Sequence, residues 1–227
     1  MSHFIVAVFS HDPDQVDALL APYIEQVDPD SPYAEFDENE EGELDEATGK
    51  RGYWHNPNAR WDWYTIGGRW CGYLKLLEGK TGRYGNDYST RERQGFANDR
   101  CDSALVKDCD FSPDEDAYRR ALRFWDVVVE GRPSAEDEKD IFTSIFKPDY
   151  YRQQYGTREN YARHQSDFLP YAYLTPDGEW HETGRMGWWG MDNATAKSRE
   201  VFRESFQTFL KEARAQNLTI TMVDCHI

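Results

Sequence analysis

The stretch from His55 to Trp70 restricts the fold more than any other part of the chain. Its sixteen residues hold three Trp, a Tyr, two adjacent Gly, two Arg, an Asp and a His. Trp61, Trp63 and Thr65 alternate with Asp62, Tyr64 and Ile66, the two-residue period of a strand. Gly67 and Gly68 then permit a tight turn, or a close approach of the backbone to a neighbour. Trp70, Gly72, Leu74 and Leu76 alternate with Cys71, Tyr73 and Lys75, so a second strand is expected. Two readings fit. One is a strand, a Gly-Gly turn and a second strand around an aromatic core. The other is a pocket wall whose rings and polar groups converge on a ligand. On the second reading His55, Asn58, Trp61, Asp62, Tyr64, Arg69 and Trp70 are ligand-binding candidates.

The rest of the chain alternates strands with helices. Phe4 to Phe9 is apolar throughout and reads as a buried strand. Asp12 and Pro13 open a helix with Val16, Leu19, Leu20, Tyr23, Ile24 and Val27 at helical spacing. Residues 28–50 are acidic and poor in apolar side chains, so a mobile loop is expected there. Within it Asp37, Asn39, Glu41, Gly42, Leu44 and Asp45 approach a calcium-loop spacing. The position of the bidentate Glu is taken by Thr48, and a solvated loop is the better reading. Glu78 to Arg100 reads as a long loop. Helix starts at Ser112-Pro113 and Ser134, and a third helix from Asp149, predict a helical insertion over 112–165. Pro176-Asp177-Gly178 is turn chemistry between two short strands. A second Gly/Trp/Arg block, Gly184 to Met191, precedes a long helix from Asp192 or Asn193 to Gln216, closed by Asn217. Leu218 to Val223 is a last strand. The sequence of elements predicts one α+β domain of 227 residues with a ferredoxin-like, split βαβ sheet, the last strand antiparallel beside the first.

Charge narrows the choice of partner. Lys and Arg number 26 against 42 Asp and Glu, a net −16, which disfavours direct nucleic-acid binding because phosphates need neutralising. It suits a cationic partner or mimicry of a nucleic acid. The four Cys form no Cys-x-x-Cys pair, which disfavours a zinc ribbon. No apolar run approaches the roughly 20 residues of a membrane span, and the start lacks a basic lead, so a cytoplasmic protein with free thiols is expected.

Two groups carry possible chemistry. If the first and last strands are neighbours, His3 and His226 meet at one sheet edge, and Asp224 shares a face with His226. His3, Asp224 and His226 are therefore the catalytic candidates, with Asp224 orienting an imidazole. A two-His, one-carboxylate metal site and a plain hydrogen-bonded terminal cluster are the competing readings. Cys225 falls on the opposite face. Separately, Arg69 and Arg185 each sit beside Gly and Trp, and a guanidinium stacked on an indole can grip a phosphate or carboxylate. Arg185, Trp188 and Trp189 join the ligand-binding candidates. Asp62 paired to one of the Arg is the structural alternative. No Walker loop, dinucleotide glycine motif or nucleophile elbow occurs, and no cofactor is indicated.

Together, Ser2-His3-Phe4, Trp61-Asp62-Trp63-Tyr64 with Gly67-Gly68-Arg69-Trp70, Gly187-Trp188-Trp189-Gly190 and Val223-Asp224-Cys225-His226-Ile227 resemble a protein family of bacteriophages and related mobile elements with no established activity. The resemblance spans both ends and two internal blocks, and leaves out the acidic and helical insertions. It implies a phage or prophage origin, and through it a role in host takeover or counter-defence. Two functional expectations result. One is a pocket for a small anionic ligand, such as a nucleotide, with or without turnover. The other is an inhibitor, anti-CRISPR-like or a nucleic-acid mimic, that binds a host defence protein through an acidic surface.

Overall fold

The structure is a computed structural model that describes residues 2–46, 48–85, 99–135, 142–187 and 191–227. The first strand, β1 (His3–Ser10), is apolar on both faces because both are covered. Ile5, Ala7 and Phe9 enter one core, and Phe4, Val6 and Val8 enter another. After β1, Asp12 caps a turn in a capping box with Gln15, and α1 (Val16–Leu20) follows. The expected longer helix stops early because Pro22 supplies no N–H, and Ala21–Tyr23 tightens to a 3-10 turn.

The acidic segment differs from expectation. Instead of a loop over 28–50, Glu35–Leu44 forms β2, antiparallel to β3 (Arg51–His55), with a bulge between Glu38 and Glu43. Phe36 against Trp54, and a hydrogen bond from Asn39 Nδ2 to Tyr53 Oη, supply the cross-strand contacts that the charge count concealed.

Then come β4 (Trp63–Ile66), β5 (Leu74–Lys75), β6 (Arg100–Cys101) and β7 (Ser103–Leu105). In the helical insertion, α2 (Glu115–Phe124) is capped by Asp114 and runs into a wider turn over Trp125–Val129. The helix expected from Ser134 falls partly outside the described residues, and 142–147 is not helical. The helix expected from Asp149 is two helices, α3 (Pro148–Tyr155) and α4 (Arg158–Ser166), because Gly156 at φ 73° breaks it. This insertion builds its own aromatic cluster around Trp125, Tyr151 and Tyr161. The bidentate pair of Arg158 with Asp126, at 2.8 Å twice, ties α4 to the end of α2.

The hairpin of β8 (Ala172–Leu174) and β9 (Trp180–Glu182) forms around Asp177-Gly178 as expected. The last helix, α5 (Ala196–Ala215), starts from Thr195 rather than Asn193 and ends before Asn217, whose φ is 55°. It buries Phe202, Phe206, Leu210 and Ala213 at helical spacing against the sheet; each large side chain so covered contributes about 1.5–3 kcal/mol. The final strand, β10 (Thr219–His226), is buried at all eight positions.

The result is an α+β fold with a six-stranded mixed sheet, ordered β4-β10-β1-β8-β9, with β7 also on β10. First and last strands pair antiparallel over their full length, and β1 pairs directly and in parallel with β8. The free edge of β10 is shared: β7 pairs with Thr219 to Thr221, and β4 with Val223 to His226. At the join, Met222 donates to Asp102 O and its carbonyl accepts from Gly67 N. Among the described residues no helix is long and apolar enough to cross a membrane.

Candidate functional site

The join on β10 explains the two glycines. Gly67 (φ 78°) and Gly68 (φ 51°) adopt a backbone that side chains disfavour. A Cβ on Gly67 would lie 2.6 Å from the Asp102 carboxylate, and one on Gly68 would lie 2.4 Å from the Cβ of Asp224. The turn therefore closes over two buried acids. Asp102 accepts from the backbone N–H of Gly72 (2.7 Å) and Gly85 (2.8 Å), a scaffold role. Asp224 accepts from Arg69 N (2.9 Å) on one oxygen and from His3 Nδ1 (2.8 Å) on the other.

His3 and His226 are facing partners in the β1–β10 register, as expected from the chain ends. His226 does not share Asp224. Its Nδ1 donates to Asp62 Oδ1 at 2.7 Å. The structure thus holds two separate imidazole–carboxylate pairs, His3–Asp224 and His226–Asp62, with ring centroids 4.9 Å apart and planes at 75°. Charge-assisted bonds of this kind are worth about 1.5–3 kcal/mol. Asp62 is satisfied by a histidine, not by the arginine that the structural alternative gave it. With both Nδ1 atoms engaged, Nε2 is the position each ring has left for a proton or ligand, and neither Nε2 has a hydrogen-bond partner among the described residues. The donors pair off rather than converge, and among the described residues no group of three His, Cys, Asp or Glu side chains is placed to hold a metal ion.

Trp63 covers this pair. Its indole stacks on His226 at 5.0 Å and 18°, and meets His3 edge-on at 5.2 Å. It is nevertheless 44% exposed. Beside His226 opens a cavity of about 400 Å³, walled by Glu25, Asp62, Arg185, Met186, Gly187, His226 and Ile227. Arg185 is exposed, and its backbone N–H is held by Asn193 Oδ1. Its guanidinium has no ion-pair partner among the described residues.

The remaining candidates disperse. Trp61 is core, 5% exposed, with Nε1 donating to Leu20 O. Tyr64 faces the core side with Cys225 and bonds Asp17, and burial with that acid raises its pKa. Trp61 and Tyr64 border a different hollow, beside Asp17, Asp28 and Asp30. Trp70 packs against the larger core cluster. His55 ends β3 opposite Glu35, and Asn58 is exposed in the loop beyond. Arg69 contributes its backbone N–H to Asp224, but its side chain is not on the cavity wall, so the expected pair of guanidiniums in one hollow is not formed. Trp188 and Trp189 lie outside the described residues. Cys225 is core, as its face implied, and burial raises its thiol pKa well above the usual range.

Sequence reasoning missed Trp63, Glu25, Met186 and Ile227. Trp63 was within reach: β4 pairs it with His226, so it shares the face of the histidines, whereas Tyr64 is one residue out of phase. It also missed Asn56, which is buried and donates to Pro22 O and Ile24 O, pinning the loop before Trp61 to the end of the first helical segment.

Compared with family models, with curated proteins and with solved structures, the chain gives no match.

Proposed function

We propose that the cavity beside His226 binds a small anionic ligand on Arg185, and that the Asp62–His226 pair moves a proton at that ligand. The observation that carries this reading is the placement of a guanidinium with no ion-pair partner among the described residues and a carboxylate-oriented imidazole on the wall of one cavity of about 400 Å³. In a chain of net −16, an arginine at a cavity mouth with no ion-pair partner among the described residues can take an anion from solution. His3–Asp224 belongs to the same site through its ring contact with His226. The ligand-holding set is then Arg185, Asp62 and His226, with Arg69 acting through its backbone on Asp224.

The test is thermal stabilisation by inorganic phosphate and by AMP. Binding at 100 times Kd stabilises a fold by about 2.7 kcal/mol. Arg185→Ala should remove that shift and Arg69→Ala should retain it. Equal loss in both variants, or no shift in the parent protein, would refute the reading.

A second reading keeps support from one feature. A groove of about 530 Å³ between the β8–β9 hairpin and α5 is lined by Asp177, Glu179, Glu204 and Glu212, with no Lys or Arg among its described walls. The family resemblance to phage proteins, read with this acidic face, supports a counter-defence protein that docks a basic surface of a host factor in the host cytoplasm. Capture from host lysate that weakens with salt, and that Glu204→Lys with Glu212→Lys abolishes, would favour it. The ferredoxin-like reading keeps support from chain order alone, β1, α1, β8, β9, α5, β10; the direct parallel pairing of β1 with β8 weighs against the split form.

A further inference from the structure

Resting on the ligand reading above, we infer that the site's substrate class is a nucleoside phosphodiester, cleaved by the two histidines acting as base and acid. Four observations lead there. First, both imidazoles are fixed through Nδ1 by their own carboxylates, which sets the tautomer and leaves Nε2 for the substrate. Two such rings in contact are more than ligand binding needs, and match a displacement that takes a proton at one atom and gives one at another. Their centroids lie 4.9 Å apart, so a phosphoryl group bound beside His226 is within a few ångströms of the second ring, although His3 itself is not on the cavity wall.

Second, the cavity charge favours a monoanion. Arg185 is the one cation among its described walls, and Glu25 stands in the same wall. A phosphodiester carries a single negative charge that one guanidinium balances, whereas a phosphomonoester dianion such as AMP, held on the same Arg185, keeps one charge unbalanced against the carboxylates and binds less tightly. Third, the described wall contains no Ser, Thr or Cys side chain, and Cys225 is fully buried on the other face. A covalent intermediate on a hydroxyl or thiol is not provided for, and with His226 and Asp62 engaged with each other the nucleophile in this inference is water. Fourth, Trp63 stacks on His226 with one side of its indole and is 44% exposed. A large exposed indole beside the reacting groups is a platform on which a nucleobase can stack.

The step balances without an oxidant or reductant. Water attacks phosphorus while Nε2 of His226, which borders the cavity, takes its proton; Asp62 stabilises the imidazolium that forms. The P–O bond to the leaving alkoxide breaks, and protonated His3, held by Asp224, gives its Nε2 proton to that oxygen. A phosphomonoester and an alcohol leave, and the rings exchange protons with solvent to reset.

The experiment incubates the full chain with bis(4-nitrophenyl) phosphate, 2′,3′-cyclic AMP and 3′,5′-cyclic AMP, reading 4-nitrophenolate release and ³¹P resonances. Turnover of at least one diester is expected. His226→Gln and His3→Gln should each lower it at least 100-fold, in the range of general acid–base contributions, while His3→Gln keeps the thermal shift with AMP. That retained shift shows that the variant folds and binds, and Asp224→Asn serves as the second variant should His3→Gln not fold. Diester turnover that survives either histidine change overturns the inference. AMP stabilisation with no turnover of any of the three overturns the inference and leaves the binding reading standing. Neither stabilisation nor turnover overturns both.

Discussion

The molecule treats its histidines in two opposite ways. At the end of the sheet where β1 starts and β10 finishes, His3 and His226 are mostly buried, and each is given a carboxylate of its own at 2.8 and 2.7 Å. In the helical insertion, His164 on α4 has a buried Nδ1 with no hydrogen-bond partner among the described residues. Its ring lies edge-on to Tyr155, near the guanidinium of Arg199. Burial, and then Arg199, push its pKa down to about 4, so this imidazole is neutral filler. The contrast shows that burial in this fold does not by itself recruit an acid to a ring. Placing Asp62 and Asp224 at hydrogen-bonding distance required a bend before β4, a Gly-Gly turn at positive φ and a strand end. That end of the sheet is thus built around imidazole–carboxylate pairs, whereas the insertion is built around aromatic packing, with Asp126 paired to Arg158 and Arg132.

The largest expected effect comes from disturbing the turn that seats Asp224. Gly68→Ala places a methyl 2.4 Å from the Cβ of Asp224 at φ 51°. Left-handed backbone costs a side-chain residue about 1–2 kcal/mol, and forcing atoms into a packed site costs about 1–3 more. A loss of about 2–5 kcal/mol in urea denaturation is expected, with loss of AMP stabilisation. The same change at Gly131, also at positive φ but with nothing within 4 Å of its added methyl, should cost only the backbone part. Equal losses at both positions would show that the packing of Asp224 against the turn contributes nothing.

Acid stability probes the other region. His164 has a folded pKa of about 4, below the unfolded value of about 6.5. Between those values the unfolded chain holds the extra proton, so stability rises with pH. The contribution is complete above pH 6.5 and is lost as pH falls through 4, up to about 3 kcal/mol for a shift of this size. His164→Gln should flatten that part of the pH–stability curve relative to the parent, measured by urea denaturation between pH 4 and 7.5. An unchanged slope would mean that Nδ1 finds a partner in solution and that His164 is held much as His3 and His226 are.

What the sequence showed of all this followed from period and position. The order of elements gave β1 and β10 as antiparallel neighbours and so put His3 across from His226, while alternation sent Cys225 to the core, because a two-residue repeat is read directly from the chain. The partner of His226 was not legible. Asp62 precedes β4 in a bend, and only the β4–β10 register brings it to the ring. Arg69 and Arg185 looked equivalent because each sits by Gly and Trp, yet one follows the turn and offers its N–H while the other opens on the cavity. The acidic stretch looked unstructured by composition, but its aromatic residues had cross-strand partners in β3. Local chemistry was visible; which local pieces meet depended on register and on turns that carry no composition signal.

The smallest effect on stability is the most discriminating for function. Trp63→Ala removes an indole that is 44% exposed and stacked on His226, leaving the Asp62 bond intact. Aromatic pairs contribute about 0.5–1.5 kcal/mol beyond area, so a shift of about 1 kcal/mol in folding is expected. If Trp63 only shields the imidazoles, the variant should bind phosphate and AMP equally less well. If it is a platform for a flat ring, AMP should lose affinity by tenfold or more while inorganic phosphate, which has no ring to stack, is held as before on Arg185. Base–aromatic stacking of about 1–3 kcal/mol sets that scale. Calorimetric titration of both probes against parent and variant separates the two roles, and a parallel loss would make the exposed indole a cover rather than a contact.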